Sequence, residues 1–225
     1  MVRFFSGLDL GQSSDYTALA IIESISDPEP SYNLRRLERV RGLSYPDVVR
    51  KVAGVVRSKE LAGNVMLAID YSGIGRAVYD LFVQDGLHPI AVTSTGGNAI
   101  HHEGDEWSIP KRDLVSSLQV ALQCGKLHFS EKLKHASTLR SELLNFSMKI
   151  SDSGHDSYEA KKGHDDLVLS LALCTWYASR QSGSRSTPID FSVFQEEIAT
   201  PGFLMDGYPQ LPSLDNDYDC EEGYY

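Results

Sequence analysis

The chain has 225 residues, 41% of them hydrophobic, and a formal net charge of −10 at pH 7. That size suits one ordinary domain, or one domain with an appendage, and excludes a wholly disordered chain. No apolar run is long enough to span a bilayer, and Asp9 follows Met1 too closely for a signal-peptide core. Three widely spaced cysteines, Cys124, Cys174 and Cys220, contain no CxxC. They exclude a disulfide framework and a cysteine zinc site and fit a reducing cytoplasm.

In chain order, Phe4 to Leu10 reads as a buried strand containing Asp9, and Thr17 to Ile22 as a second strand after a turn with Ser13, Ser14 and Asp15. Tyr32 to Val40 is a third, more polar strand, expected nearer an edge. Pro46 opens a helix whose apolar face is Val48, Val49, Val52, Val55 and Val56. Val65 to Ile69 is a buried strand ending on Asp70, followed by a helix from Ile74 to Asp85 and a strand from His88 to Val92. Residues 94–107 read as a polar, glycine-containing surface loop carrying His101 and His102, with DNA contact as its candidate role. A transition-metal site there would lack a spaced third ligand. Pro110 to Cys124 is a helix, Lys126 to Phe129 a short extended piece, and Leu133 to Met148 a further amphipathic segment. A last helix covers Asp166 to Tyr177.

Three strands in succession, then alternating helices and strands, predict an α/β fold: an antiparallel meander followed by parallel strands, flanked by helices. Residues 1–180 hold 20 Lys+Arg against 22 Asp+Glu, whereas residues 181–225 hold Arg185 against nine acids. The acidity thus belongs mainly to 181–225, which reads as a disordered tail with four prolines and no helical or strand period. The preceding residues, 1–180, form the expected domain.

Asp9 and Asp70 each end a run of β-type residues, and Asp165 and Asp166 stand at the start of an apolar helix. Singly, Asp9 suits a turn and either helical Asp suits an N-cap. Together, with their strands as neighbours, they form a carboxylate cluster that calls for a cation. Mg²⁺ is the hard ion expected with oxygen ligands, and an ion pair of this kind serves phosphodiester hydrolysis. Lys111 and Arg112 at a helix start, and Lys161 and Lys162 before the acidic doublet, are candidate phosphate contacts. The competing reading is ordinary solvated charge. Gly73-Ile74-Gly75 lacks the third glycine of a dinucleotide fingerprint and reads as tight strand-to-helix geometry.

The run Gly7-Leu8-Asp9-Leu10-Gly11-Gln12-Ser13-Ser14-Asp15-Tyr16-Thr17-Ala18-Leu19-Ala20 resembles the opening of the nuclease domain of tailed-phage terminase large subunits. Ile69 to Gly75 resembles that family's second acidic strand, and Pro110 to Val115 with Leu118-Gln119 and Gly125-Lys126-Leu127 its central helix and turn. Gly163-His164-Asp165-Asp166-Leu167-Val168 resembles its final acidic helix. The four segments keep the family's order over roughly 1–178. The resemblance implies a ribonuclease-H-like (RuvC-like) fold and a two-metal endodeoxyribonuclease that cuts concatemeric phage DNA during packaging. It makes Asp9, Asp70 and Asp166 the catalytic, metal-binding acids, with Asp165 as the adjacent alternative and His164 as a possible assistant. The implied cofactors are two Mg²⁺ or Mn²⁺ ions. The implied partners are double-stranded DNA and a separate packaging ATPase, small terminase or portal protein, with no membrane. The implied location is the cytoplasm of a bacterial host. No GxxxxGKS/T phosphate loop occurs, so packaging-motor activity is not implied for this chain. Rival readings are a Holliday-junction-resolvase-like nuclease of the same fold, an actin-like or sugar-kinase-type ATP-binding domain, and a non-catalytic prophage remnant or adaptor.

Overall fold

The computed structural model describes residues 3–12, 15–26, 30–150, 156–160 and 164–181. Its strands are β1 (Arg3–Asp9), β2 (Thr17–Ile25), β3 (Ser31–Val40), β4 (Val65–Asp70), β5 (Ile90–Thr95), β6 (His101–Glu103), β7 (Glu106–Pro110), β8 (Leu127–His128), β9 (Phe146–Ile150) and β10 (Asp156–Ala160). Its helices are α1 (Tyr45–Val56), α2 (Gly75–Gln84), α3 (Lys111–Gln123), α4 (Ala136–Asn145) and α5 (Asp166–Gln181). An eight-stranded sheet runs in the order β6-β7-β5-β4-β1-β2-β3-β8, and β9 and β10 form a separate antiparallel pair. The β1-β2-β3 meander is antiparallel, and β4 returns parallel to β1 with β5 parallel to β4. This is the expected mixed α/β fold.

Side chains alternate between the two faces of a strand, and here the alternation divides two cores. Phe4 and Leu8 of β1 and Leu19 and Ile21 of β2 face the α1–α2 side, where they pack with Val48, Val52, Val78 and Phe82. Phe5, Ala18, Ala20 and Ala68 belong to the opposite core with Leu118, Leu139, Leu171 and Trp176 of α3, α4 and α5. The sheet positions under α5 are small. A methyl group at Gly7 would lie inside contact distance of the Ser170 carbonyl and 3.0 Å from the Cys174 nitrogen. Gly7 therefore lets α5 settle directly on β1. Gly75 does the same where α2 starts, because a methyl there would run into the Asp70 carbonyl. That close approach is the tight strand-to-helix geometry expected of Gly73-Ile74-Gly75.

Two expectations change. Residues 94–107 are not one loop. His101–Glu103 and Glu106–Pro110 form an antiparallel edge hairpin, with Trp107 paired to His102 and, on its other side, to Val92. The amphipathic segment from Leu133 breaks at Asn145, after which Phe146 adopts extended backbone and begins β9. The third strand does lie near an edge, with only the two-residue β8 pairing outside it at Tyr32 and Asn33. Among the described residues, no helix is long and apolar enough to cross a membrane. Cys124 is a free exposed thiol and Cys174 a free buried one. Ser13, Ser14, Lys161, Lys162, Gly163 and the acidic segment from residue 182 onward, including Cys220, lie outside the described residues.

Candidate metal centre

The parallel pairing of β1 with β4 carries Leu8 opposite Ile69, so Asp9 and Asp70 end neighbouring strands at the same edge of the sheet. Counting outward from Gly7 and from Ala68, both acids lie on the face that α5 covers. They share a cleft of about 70 Å³ with Val92, Ser94, Lys111, Leu114, Leu169 and Leu173. Asp70 is braced locally, its Oδ1 accepting the Ser72 N–H at 2.8 Å. Lys111 enters because β7 delivers the chain to the first residue of α3 at this same edge.

The seating of α5 brings the third acid. The Asp165 carbonyl accepts the Leu169 N–H at 2.9 Å, so Asp165 starts the helix, and Asp166 occupies its first turn at 8% exposure. Burial, then the charges of Asp70, Asp166 and Asp165, push the Asp9 carboxyl well above its usual range, while Lys111 pulls the other way. Asp9 is buried at 9% exposure. An anionic side chain there is held against its own solvation and against three like charges, and one lysine only partly offsets them.

The expected residues do not all meet at one point. Among the described residues, no three His, Cys, Asp or Glu side chains converge into a ready ligand group. Asp9 and Asp70 line the cleft; Asp166 leads α5 beside them, its charge bearing on Asp9. Asp166 Oδ2 accepts from Arg39 Nη2 at 2.9 Å and lies 3.8 Å from His164 Nδ1. Arg39 also reaches Glu142 Oε1 at 3.3 Å and lies 3.8 Å above the Tyr16 ring. The His164 ring meets Tyr16 edge-on at 5.0 Å. Glu142 is buried on α4, and its Oε2 accepts the Leu167 and Val168 N–H groups at 2.9 and 3.3 Å. Burial pushes its carboxyl up to about 7, against the downward pull of Arg39 and of those N–H donors.

Of the candidate basic residues, Lys111 lines the cleft. Arg112 lies beside Asp113 at 3.4 Å on its own helix. His102 is stacked on Trp107 at 3.7 Å, and neither it nor His101 joins a metal-binding group among the described residues. Arg39, Tyr16 and Glu142 were not legible as site residues. One signal existed for Arg39. The strand register puts Asp9 opposite Ala18 and Ala18 opposite Arg39, and residues facing each other across strands share a face.

The donors suit a hard divalent cation. All are carboxylate oxygens, and the strained ionisation of Asp9 is the condition that a nearby dication relieves.

No family model matches the chain. It is 26% identical over 170 residues to the terminase large subunit of Thermus phage G20c, a match covering 74% of this chain and 30% of that protein. The chain thus corresponds to under a third of the length of the terminase subunit it matches. The crystal structure of the large terminase nuclease from phage G20c with bound magnesium superposes with a TM-score of 0.58 at 23% identity, covering 77% of this chain and 80% of that one. The same G20c nuclease has also been solved with bound cobalt and with bound zinc. The P22 large terminase nuclease domain superposes with a TM-score of 0.52 at 14% identity, covering 88% of this chain and 87% of that one. In sequence and in fold, the chain resembles the nuclease domain of phage terminase large subunits.

Proposed function

We propose that this chain is a divalent-metal-dependent endodeoxyribonuclease that cuts double-stranded DNA, in the manner of the nuclease that trims phage genomes during packaging. The observation that carries this reading is the Asp9–Asp70 cleft, with the charges of Asp165 and Asp166 bearing on Asp9. Asp9, Asp70 and Asp166 would hold two Mg²⁺ or Mn²⁺ ions. Asp165 is the alternative ligand, half-buried where Asp166 is buried. When bound, the ions supply charge neutralisation at the phosphate and lower the pKa of attacking water.

The chain's own residues have separate tasks. Asp9 and Asp70, fixed on strand ends, set the position of the centre with little freedom. Lys111 gives the cleft its positive charge and is placed to hold a backbone phosphate oxygen, a contact that adds affinity without sequence choice. Arg112, and Lys161 and Lys162 from outside the described residues, are the further proposed phosphate contacts, and His164 assists beside Asp166. DNA, and a separate ATPase, small terminase or portal protein, are the proposed partners, in a bacterial host's cytoplasm. The tail from residue 181 is proposed as a docking or DNA-competing segment.

The test is purified protein on supercoiled plasmid with Mg²⁺ or Mn²⁺, beside Asp9→Asn, Asp70→Asn and Asp166→Asn. The expected outcome is nicked and linear product from the unmodified chain. Losing several kcal/mol of transition-state charge stabilisation slows each variant by about 10³-fold. Intact plasmid under every condition, or equal cutting by the triple variant, overturns the reading.

A further inference from the structure

Arg39 is a buried guanidinium: its side chain is 12% exposed. Such a charge persists only with partners, because stripping it of water without compensation costs several kcal/mol. Its partners are Asp166 Oδ2, Glu142 Oε1 and the Tyr16 ring. None is close in sequence; Arg39 and Asp166 stand 127 residues apart.

Glu142 has a second task. A helix begins with N–H groups that lack intrahelical acceptors. For Leu167 and Val168 the acceptor is Glu142 Oε2, reaching over from α4. One carboxylate therefore fixes the start of α5 with one oxygen and sets its charge against Arg39 with the other, an ion pair without a hydrogen bond. Arg39 in turn holds Asp166, which leads that same helix. The Asp166 carboxylate cannot rotate freely without taking a hydrogen bond from a buried guanidinium, and the guanidinium is itself held in place.

We propose that Arg39 and Glu142 are positioning residues that hold the Asp166 carboxylate in the orientation required of a metal ligand. This rests on the reading of Asp166 as such a ligand. With Glu142 ionised, the pair carries opposite charges and so adds none. Arg39 can grip the ligand acid without making the centre net more positive, which a lone arginine would do at the expense of cation binding. Both carboxylates lie against the same guanidinium nitrogen, Nη2, while the delocalised group as a whole rests over the Tyr16 ring; a lysine ammonium would offer a compact point charge instead.

The test is Mn²⁺ binding by the full chain, followed through the loss of the free Mn²⁺ electron paramagnetic resonance signal, with no DNA present. The decisive variant is the double substitution Arg39→Gln with Glu142→Gln, measured at a pH above 7, where Glu142 is ionised and the net charge of the trio is unchanged. Supporting residues of metal ligands typically contribute about 10–100-fold in affinity, and a loss in that range is expected. In an Asp166→Asn background the same pair of changes is expected to cost under about twofold, because the carboxylate being positioned is gone. Arg39→Lys is expected to fall between, and serves as the deciding variant if circular dichroism shows the double variant unfolded. Unchanged or tighter Mn²⁺ binding in the deciding variant overturns the proposal while leaving the nuclease reading intact. So does an equal loss with and without Asp166. Failure of the unmodified chain to bind Mn²⁺ overturns both.

Discussion

The two faces of the central sheet are built from the same strands and differ in almost everything else. On the α1–α2 side, β1 and β2 present Phe4, Leu8, Leu19 and Ile21, and the helices rest on a layer of large side chains. On the α5 side, the same strands present Phe5 and Ile22 at the end away from the acids but Gly7, Ala18 and Ala20 toward them, where the helix lies almost on the backbone. The acids are all on the second side. Bulky layers give stability that tolerates local repacking, whereas thin ones give positional accuracy because nothing soft lies between helix and strand. A metal centre needs the latter.

Phe82→Ala tests the thick face. The ring is fully buried, and its removal is expected to cost about 3–5 kcal/mol in urea unfolding. Any variant that still folds should keep its Mn²⁺ affinity. A large loss of affinity with the fold intact would break the division of labour between faces. Gly7→Ala tests the thin face. Overpacking there is expected to cost about 1–3 kcal/mol, and here the Mn²⁺ affinity should fall as well, because α5 must lift and carry Asp166 with it. A stable variant with unaltered affinity would show that the close seating of α5 is incidental.

Smaller changes sharpen the contrast away from both cores. Glu38 is pushed up by burial, but Arg36 and Lys51 outweigh that and leave its carboxyl below the usual range. A depressed folded-state pKa stabilises above the unfolded value, and the contribution disappears as pH falls through the folded one. Glu38→Gln should therefore lower stability by roughly 1 kcal/mol at pH 7, with the two melting curves converging in acid. Gly54 lies on the outer side of α1, and a methyl group there meets nothing within 4 Å. Gly54→Ala should raise stability by about 0.5–1 kcal/mol and change neither binding nor cleavage, the opposite of Gly7→Ala.

The difference between the faces also decides what can be read without coordinates. Asp9 and Asp70 were legible because each follows an unmistakable run of β-type residues, and in β2 Ala18 and Ala20 alternate with Leu19 and Ile21. The β6–β7 hairpin was not. His101, His102 and Glu103 are all exposed, so the backbone pairing there leaves no two-residue apolar period. The break at Asn145 was hidden because Phe146 continues the apolar content of α4 while its backbone turns extended. Arg39 and Glu142 were invisible for a different reason. Their meaning lies in a meeting with the far end of the chain, and an arginine on a polar strand has no local feature that announces such a meeting.

That meeting has a consequence in time. Asp166 reaches the site only when α5 settles across β1 and β2, elements formed from the opposite end of the described sequence. Contacts of such long range close late in folding. On a ribosome, a nascent chain would expose Asp9 and Asp70 well before the third acid and its Arg39–Glu142 clasp had been synthesised. If the proposed cleavage of DNA depends on all three acids, chain order alone would withhold it until the last helix had been made.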